Sequence, residues 1–187
     1  FKMLEQLKQW DRELFVYLNG LGIESYDSFW ITVTTIQNWI PVYVVFFVLY
    51  FVAFHWKKAL FTSLFIIATA LSTYGFTNIT KNFFLRLRPN NQPEIADFIR
   101  ILQTPDNYSF FSGHSAVSTA AALFLILSLK DKYPWIWVVL IWPLLFMLSR
   151  IDVGVHYPGD VLVGGAVGLI FALIFFLLYQ RSGRRFI

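Results

Sequence analysis

The residues from Ser149 to Asp160 set an arginine, a histidine and a carboxylate at the junction between two apolar runs: Ser-Arg-Ile-Asp-Val-Gly-Val-His-Tyr-Pro-Gly-Asp. Asp160 follows His156 by four positions, about one helical turn. Pro158 suits the first turn of a new helix, where its missing N–H is not needed. Asp160 then falls in that turn, where negative charge is favoured, and can reach back to a ring nitrogen of His156. An imidazole oriented by a carboxylate, beside the guanidinium of Arg150, is equipped to handle an anion.

Two further clusters carry the same chemistry. Lys81 and Arg88-Pro89 are seven residues apart, which on a continuous helix is two turns, roughly 10 Å along one face. Cations at a helix end are ordinarily headgroup contacts, but Lys81 lies within a polar stretch from which it cannot simply snorkel. Ser112-Gly113-His114 opens another apolar run. Ser112 suits an N-cap. Gly113 lets the backbone approach a ligand, the free N–H groups of a helix start bind phosphate, and His114 points into the same space. His114, His156 and Asp160 are also metal-ligand types. Against that, Lys81, Arg88 and Arg150 would repel a divalent ion and attract an anion, so neither metal nor cofactor is expected.

Other polar residues read more plainly. His55, between Phe54 and Trp56, is expected at the opposite membrane interface. Asp152 is expected to pair with a neighbouring cation. Arg86 and Arg100 are loop cations that could meet a second phosphate if the substrate is a diphosphate.

The elements that must position these clusters are membrane helices. The 187 residues are 57% hydrophobic and 14% charged, carry a net charge of +4 and contain no cysteine. Mean hydropathy is +0.59. Basic residues sit at the ends of apolar runs, a pattern of headgroup contact rather than of nucleic-acid binding. Residues 1–20 space their apolar positions as an amphipathic helix lying in the interface plane, without the uninterrupted apolar core of a cleavable signal peptide. Spans are expected over 29–54 (where Gln37, Asn38 and Pro41 allow a kink, or an interfacial piece preceding the true span), 59–85, 112–129, 134–148 and 159–179, with 90–111 as an extramembrane loop. In the second span Ser72, Thr73, Tyr74, Asn78, Thr80, Lys81 and Asn82 are too polar for lipid and must face a bundle interior or a wet cavity. The fold class is thus an all-α integral membrane bundle of about five or six helices forming a single domain, preceded by an interfacial helix.

Five spans put the three clusters on one side. His55–Lys58, Lys130–Lys132 and the arginines 181, 184 and 185 fall on the other, which the positive-inside rule makes cytoplasmic despite Lys2, Lys8 and Arg12. The reactive face is expected to look outward, to the periplasm or exterior.

The three clusters together resemble the type 2 phosphatidic acid phosphatase (PAP2) superfamily, whose signature is Lys-x6-Arg-Pro, Pro-Ser-Gly-His and Ser-Arg-x5-His-x3-Asp. Lys81 to Pro89, Ser112 to His114 and Ser149 to Asp160 match in order and spacing; Phe111 stands where the family has proline. The resemblance implies that His156 attacks phosphorus to form a phosphohistidine, with Asp160 holding the ring. It implies that Lys81, Arg88, Ser112, Gly113 and Arg150 bind the phosphate, and that His114 protonates the leaving oxygen and then activates water. The implied partner is a membrane lipid phosphate, undecaprenyl diphosphate first, then lipid A or glycerophospholipid phosphates. Three rivals share the motifs: an anionic-lipid binder without chemistry, a vanadate-dependent haloperoxidase, and a lipid-to-lipid phosphotransferase. Oligomeric state is left open.

Overall fold

The structure is a computed structural model in which residues 2–183 are described. Arg184 and Arg185, expected among the basic residues at the C-terminal end, and Phe1 lie outside them. Helices α1 (Lys2–Gly20), α2 (Asp27–Thr34), α3 (Ile40–Ala53), α4 (Trp56–Phe84), α5 (Gly113–Leu129), α6 (Ile141–Asp152) and α7 (Pro158–Gly183) form a bundle, with no strand among the described residues.

The bundle presents large apolar side chains to its surroundings and buries hydroxyls beside an apolar core. Leu64, Leu71, Ile79, Leu162, Ile170 and Leu177 face outward, whereas Thr62, Thr69, Thr73, Thr77, Ser115 and Ser118 are buried. Each buried α4 threonine bonds a carbonyl of its own helix four residues back, as from Thr73 to Thr69 (2.7 Å) and from Thr77 to Thr73 (2.8 Å). Their polarity is therefore satisfied without water. Four helical stretches are long and apolar enough to cross a bilayer, and α5 is a shorter apolar helix. Its 17 residues reach about 26 Å, less than a hydrocarbon core of roughly 30 Å.

Several boundaries differ from the sequence reading. Of the two alternatives for 29–54, the structure has a separate piece before the span rather than a kink: α2 stops at Thr34, a 3-10 turn occupies Ile36–Trp39, and α3 starts just before Pro41. Pro41 sits in the first turn of a new helix rather than kinking an existing one. The second span ends at Phe84, where Leu85 adopts a left-handed φ of 51° and closes the helix. Lys81 and Arg88 therefore do not share a helix face. The fourth span begins as a 3-10 segment, Pro134–Leu140, and α6 runs on to Asp152. In α4, Thr73, Thr80 and Lys81 are buried as expected, while Ser72 and Asn82 face outward. Asn82 lies two residues from the helix end.

Helices α5 and α7 pack along a seam of small residues, which lets two helix ends carry site residues side by side. A Cβ on Gly168 would stand 2.4 Å from the Ala116 carbonyl oxygen, and one on Gly164 2.6 Å from that of Ser112. Gly168→Val is expected to force the helices apart at a cost of about 1–3 kcal/mol. The check is thermal unfolding in detergent: the Tm should fall by several degrees, and an unchanged Tm would refute the seam.

Helix α1 is exposed along most of its apolar side, including Leu4, Leu7, Trp10 and Leu14, but is anchored at its end. The buried Asn19 amide donates to the carbonyls of Ile151 (3.0 Å) and Asp152 (2.9 Å) and accepts from the Arg100 N–H (2.7 Å). The helix is thereby fixed to the end of α6 and to the loop.

Candidate active site

The ends of α4, α6, the start of α5 and the start of α7 meet, joined by the loop before α5. His156 lies in the short link between α6 and α7 and is 1% exposed. Gly154, at φ +82°, turns that link under the Arg100 carbonyl, which a Cβ there would approach to 2.3 Å. Its neighbour Val153 accepts from the Leu102 N–H (3.1 Å), tying link to loop.

The two ring nitrogens of His156 face different partners. Nε2 is 3.0 Å from Arg88 Nη1, which can only donate, so Nε2 is the acceptor and the ring proton sits on Nδ1. Nδ1 is 3.3 Å from Ser109 Oγ and 3.5 Å from Asp160 Oδ2. Ser109 in turn donates to Asp160. Burial first, then the charges of Arg88, Arg150 and Lys81, hold the His156 ring well below the usual histidine pKa. It is therefore neutral near pH 7 with a free lone pair on Nε2.

Three cations surround that lone pair. Arg88, in the extended segment after α4, donates from Nε to the Asn107 carbonyl (2.7 Å) and from Nη1 to that of Val155 (2.9 Å). Lys81 donates to the carbonyls of Tyr108 and, at 3.1 Å, of Ser109. Arg150 donates from Nη1 to Thr34 and, at 3.2 Å, to Gln103, while its Nε is buried with no partner among the described residues. His114, which feels the charges of Arg150, Arg88 and Lys81, stands edge-on to Phe146 at 5.2 Å.

Lys81, Arg88, Gly113, His114, Arg150 and His156 line one end of a cavity of about 680 Å³. Tyr43, Phe46, Phe47, Ile66, Ile67, Val117 and Trp142 line the rest. One space thus joins an apolar sleeve to a cationic cup. The wall residues Ile67 and Tyr74 are 41% and 57% exposed, so the sleeve opens sideways along α4.

Three residues expected to meet phosphate, Ser112, Arg86 and Arg100, are not on the cavity wall. Ser112 is off the cavity wall: its Oγ accepts from Ser115 N–H (3.4 Å) and Oγ (3.0 Å) as an N-cap, and its own N–H donates to the Asp160 carbonyl (3.0 Å). Its oxygen lone pairs thereby shape the start of α5. Arg86 and Arg100 do not line the cavity. Arg86 pairs with Asp160 and Asp11, each at 2.7 Å, and Arg100 pairs with Asp27 and, at 3.8 Å, with Asp152. The latter contact gives Asp152 its expected cation. His55, immediately before α4, is roughly 38 Å of helix from Lys81. The sequence reading missed Ser109, Asn107, Gln103 and Thr34, whose hydroxyls, amides and carbonyls hold the imidazole and the arginines.

The comparisons agree with this architecture. The model of the PAP2 superfamily matches residues 59–184. A lipid A 4'-phosphatase from Bacteroides thetaiotaomicron is 33% identical over 192 residues, spanning 98% of this chain and 83% of the relative. A lipid A 4'-phosphatase from Porphyromonas gingivalis is 29% identical over 98% of this chain and 79% of its own length. Among solved structures, the transmembrane PAP2 type phosphatidylglycerolphosphate phosphatase from Bacillus subtilis superposes with a TM-score of 0.77. That likeness spans 94% of this chain and 87% of the other at 18% identity, and is one of fold. The bundle and its site define a multi-pass, all-helical membrane phosphatase. The chain belongs to the PAP2 superfamily.

Proposed function

We propose that the chain removes phosphate from a membrane glycolipid, lipid A phosphate in the first place, at the outer face of the cell membrane. The observation that carries this is the single cavity in which an apolar sleeve ends at the His156 Nε2 lone pair and three cations. Tails enter through the side opening and the phosphate meets the cup. The two lipid A 4'-phosphatases aligned over nearly the whole chain support the headgroup. Arg86 and Arg100 pair with carboxylates and do not line the cavity, which favours a monoester over undecaprenyl diphosphate.

In this mechanism His156 Nε2 attacks phosphorus, the N–P bond forms and the P–O bond to the lipid breaks. His114 gives its proton to the departing oxygen. Arg88, Lys81, Arg150 and the Gly113 N–H hold the three equatorial oxygens, whose charge grows in the transition state. His114 then takes a proton from water, the water oxygen bonds to phosphorus and the N–P bond breaks, releasing inorganic phosphate. Asp160 and Ser109 keep the Nδ1 proton in place throughout. The outward orientation is supported by Lys57, Lys58, Lys130, Lys132 and Arg181 at the bundle end remote from the cup.

The test is phosphate release in detergent with EDTA, using lipid A bisphosphate, undecaprenyl diphosphate and phosphatidate. Release should be fastest from lipid A and unaffected by the chelator. Preference for the diphosphate would overturn the substrate, loss with EDTA the mechanism, and transfer to an added lipid acceptor the role of water.

A further inference from the structure

We infer that Asp11 and Arg86 are positioning residues for His156, which makes the N-terminal helix α1 part of the working site. This rests on the phosphatase reading above and adds two residues that the three motifs do not specify: Arg86 falls at an unspecified position of the first, and Asp11 lies in α1. Leu85 ends α4, and residues 85–88 belong to no helix. Leu85 and Leu87 face outward, at 52% and 46% exposure, whereas Arg88 is buried and Arg86 half-buried.

The two arginines bracket the imidazole. Arg88 meets Nε2 directly, whereas Arg86 acts on the Nδ1 side through Asp160. Arg86 Nη1 donates to Asp160 Oδ1 at 2.7 Å, which leaves Oδ2 for the Ser109 hydroxyl, the Tyr157 N–H (3.2 Å) and the His156 ring. A carboxylate whose one oxygen is held by a guanidinium cannot rotate to present the other face. Asp160 is fully buried, so losing this partner would leave its charge without compensation.

Arg86 itself is held by Asp11. Its Nη2 donates to Asp11 Oδ2 at 2.7 Å, and its guanidinium lies 4.0 Å over the Tyr157 ring. The other oxygen of Asp11 accepts from the Gly159 N–H at 2.7 Å, at the start of α7. One carboxylate from α1 thus fixes both the arginine and the helix start that carries Asp160. The line runs Asp11, Arg86, Asp160, His156, with no residue in it touching phosphate before the last.

The experiment is a double-mutant cycle on the full-length protein, measuring kcat and KM for phosphate release from lipid A bisphosphate. Arg86→Gln and Asp11→Asn should each lower kcat by on the order of 10–100-fold, as for partners that orient metal-bound imidazoles, with KM within about twofold. Arg86→Lys should restore part of the loss. Acting only through Asp160, Arg86→Gln should cost nothing further in an Asp160→Asn background. Arg12→Gln, which breaks only the exposed pair of the next residue on α1 with Glu94, should leave activity unchanged. Full activity of Arg86→Gln, or losses that multiply in the Asp160→Asn background, would overturn the inference. If thermal unfolding shows that Arg86→Gln does not fold, the Asp11→Asn cycle decides by the same criteria. A wild-type protein that releases no phosphate would instead sink the phosphatase reading itself.

Discussion

His156→Ala is expected to release no inorganic phosphate above background from any lipid phosphate. The loss in kcat should be on the order of 10⁶, as when the nucleophile of a catalytic unit is removed. Such a loss follows from what lines the cup. Lys81, Arg88 and Arg150 bind an anion and stabilise charge, but each is tied to carbonyls or hydroxyls as a donor. The Nε2 lone pair of His156 is the group that combines burial, neutrality and a cation alongside to receive the developing charge. Without it, water would have to attack in the absence of a covalent intermediate. The variant should still bind vanadate or phosphate through the remaining cations. Phosphate release above 1% of wild type, with the fold intact by thermal unfolding, would remove His156 from the nucleophile's role.

Arg88→Lys should cost on the order of 10³ in kcat/KM, within the range seen when a guanidinium that stabilises a phosphoryl transition state is lost. The charge is retained, so the effect isolates geometry. Arg88 spends Nε on the Asn107 carbonyl and Nη1 on the Val155 carbonyl and His156. The planar fork therefore makes these contacts at fixed angles and can turn one donor from Nε2 to an arriving phosphate oxygen. An ammonium has no such fork, and its point charge would settle on one carbonyl. Steady-state kinetics on the purified variant provide the check; activity within tenfold of wild type would mean that Arg88 supports the link rather than the reaction.

Motif spacing makes the convergence of Lys81, Arg88, Gly113, His114, Arg150 and His156 on one cavity legible in the amino-acid sequence. His156 and Asp160, Lys81 and Arg88, and Gly113 and His114 carry chemistry in their types and their separations along the chain, and helix parity brings their ends together. The burial of hydroxyls is legible too, because a threonine-rich helix in an apolar chain has only the interior to face. What escapes the sequence depends on single backbone angles and long-range pairs. Nothing in the residue type of Leu85 announces a left-handed conformation, so Lys81 and Arg88 read as neighbours on one helix. Gln37, Asn38 and Pro41 allow a break before α3, but nothing in the residue type of Thr35 places it there. Ser109 is one hydroxyl in a polar loop, and its place between His156 and Asp160 follows from how that loop folds back under α7. Asp11 and Arg86 are 75 residues apart, and each alone reads as an ordinary charge near a membrane surface.

The sideways opening of the sleeve at Ile67 and Tyr74 alters what concentration means for this enzyme. A lipid that enters from within the bilayer arrives by two-dimensional diffusion, and its dephosphorylated remainder departs the same way while the anion leaves into water. Occupancy is then governed by the mole fraction of substrate among neighbouring lipids. Inert amphiphile dilutes the reaction even when the total amount of substrate per litre is held constant.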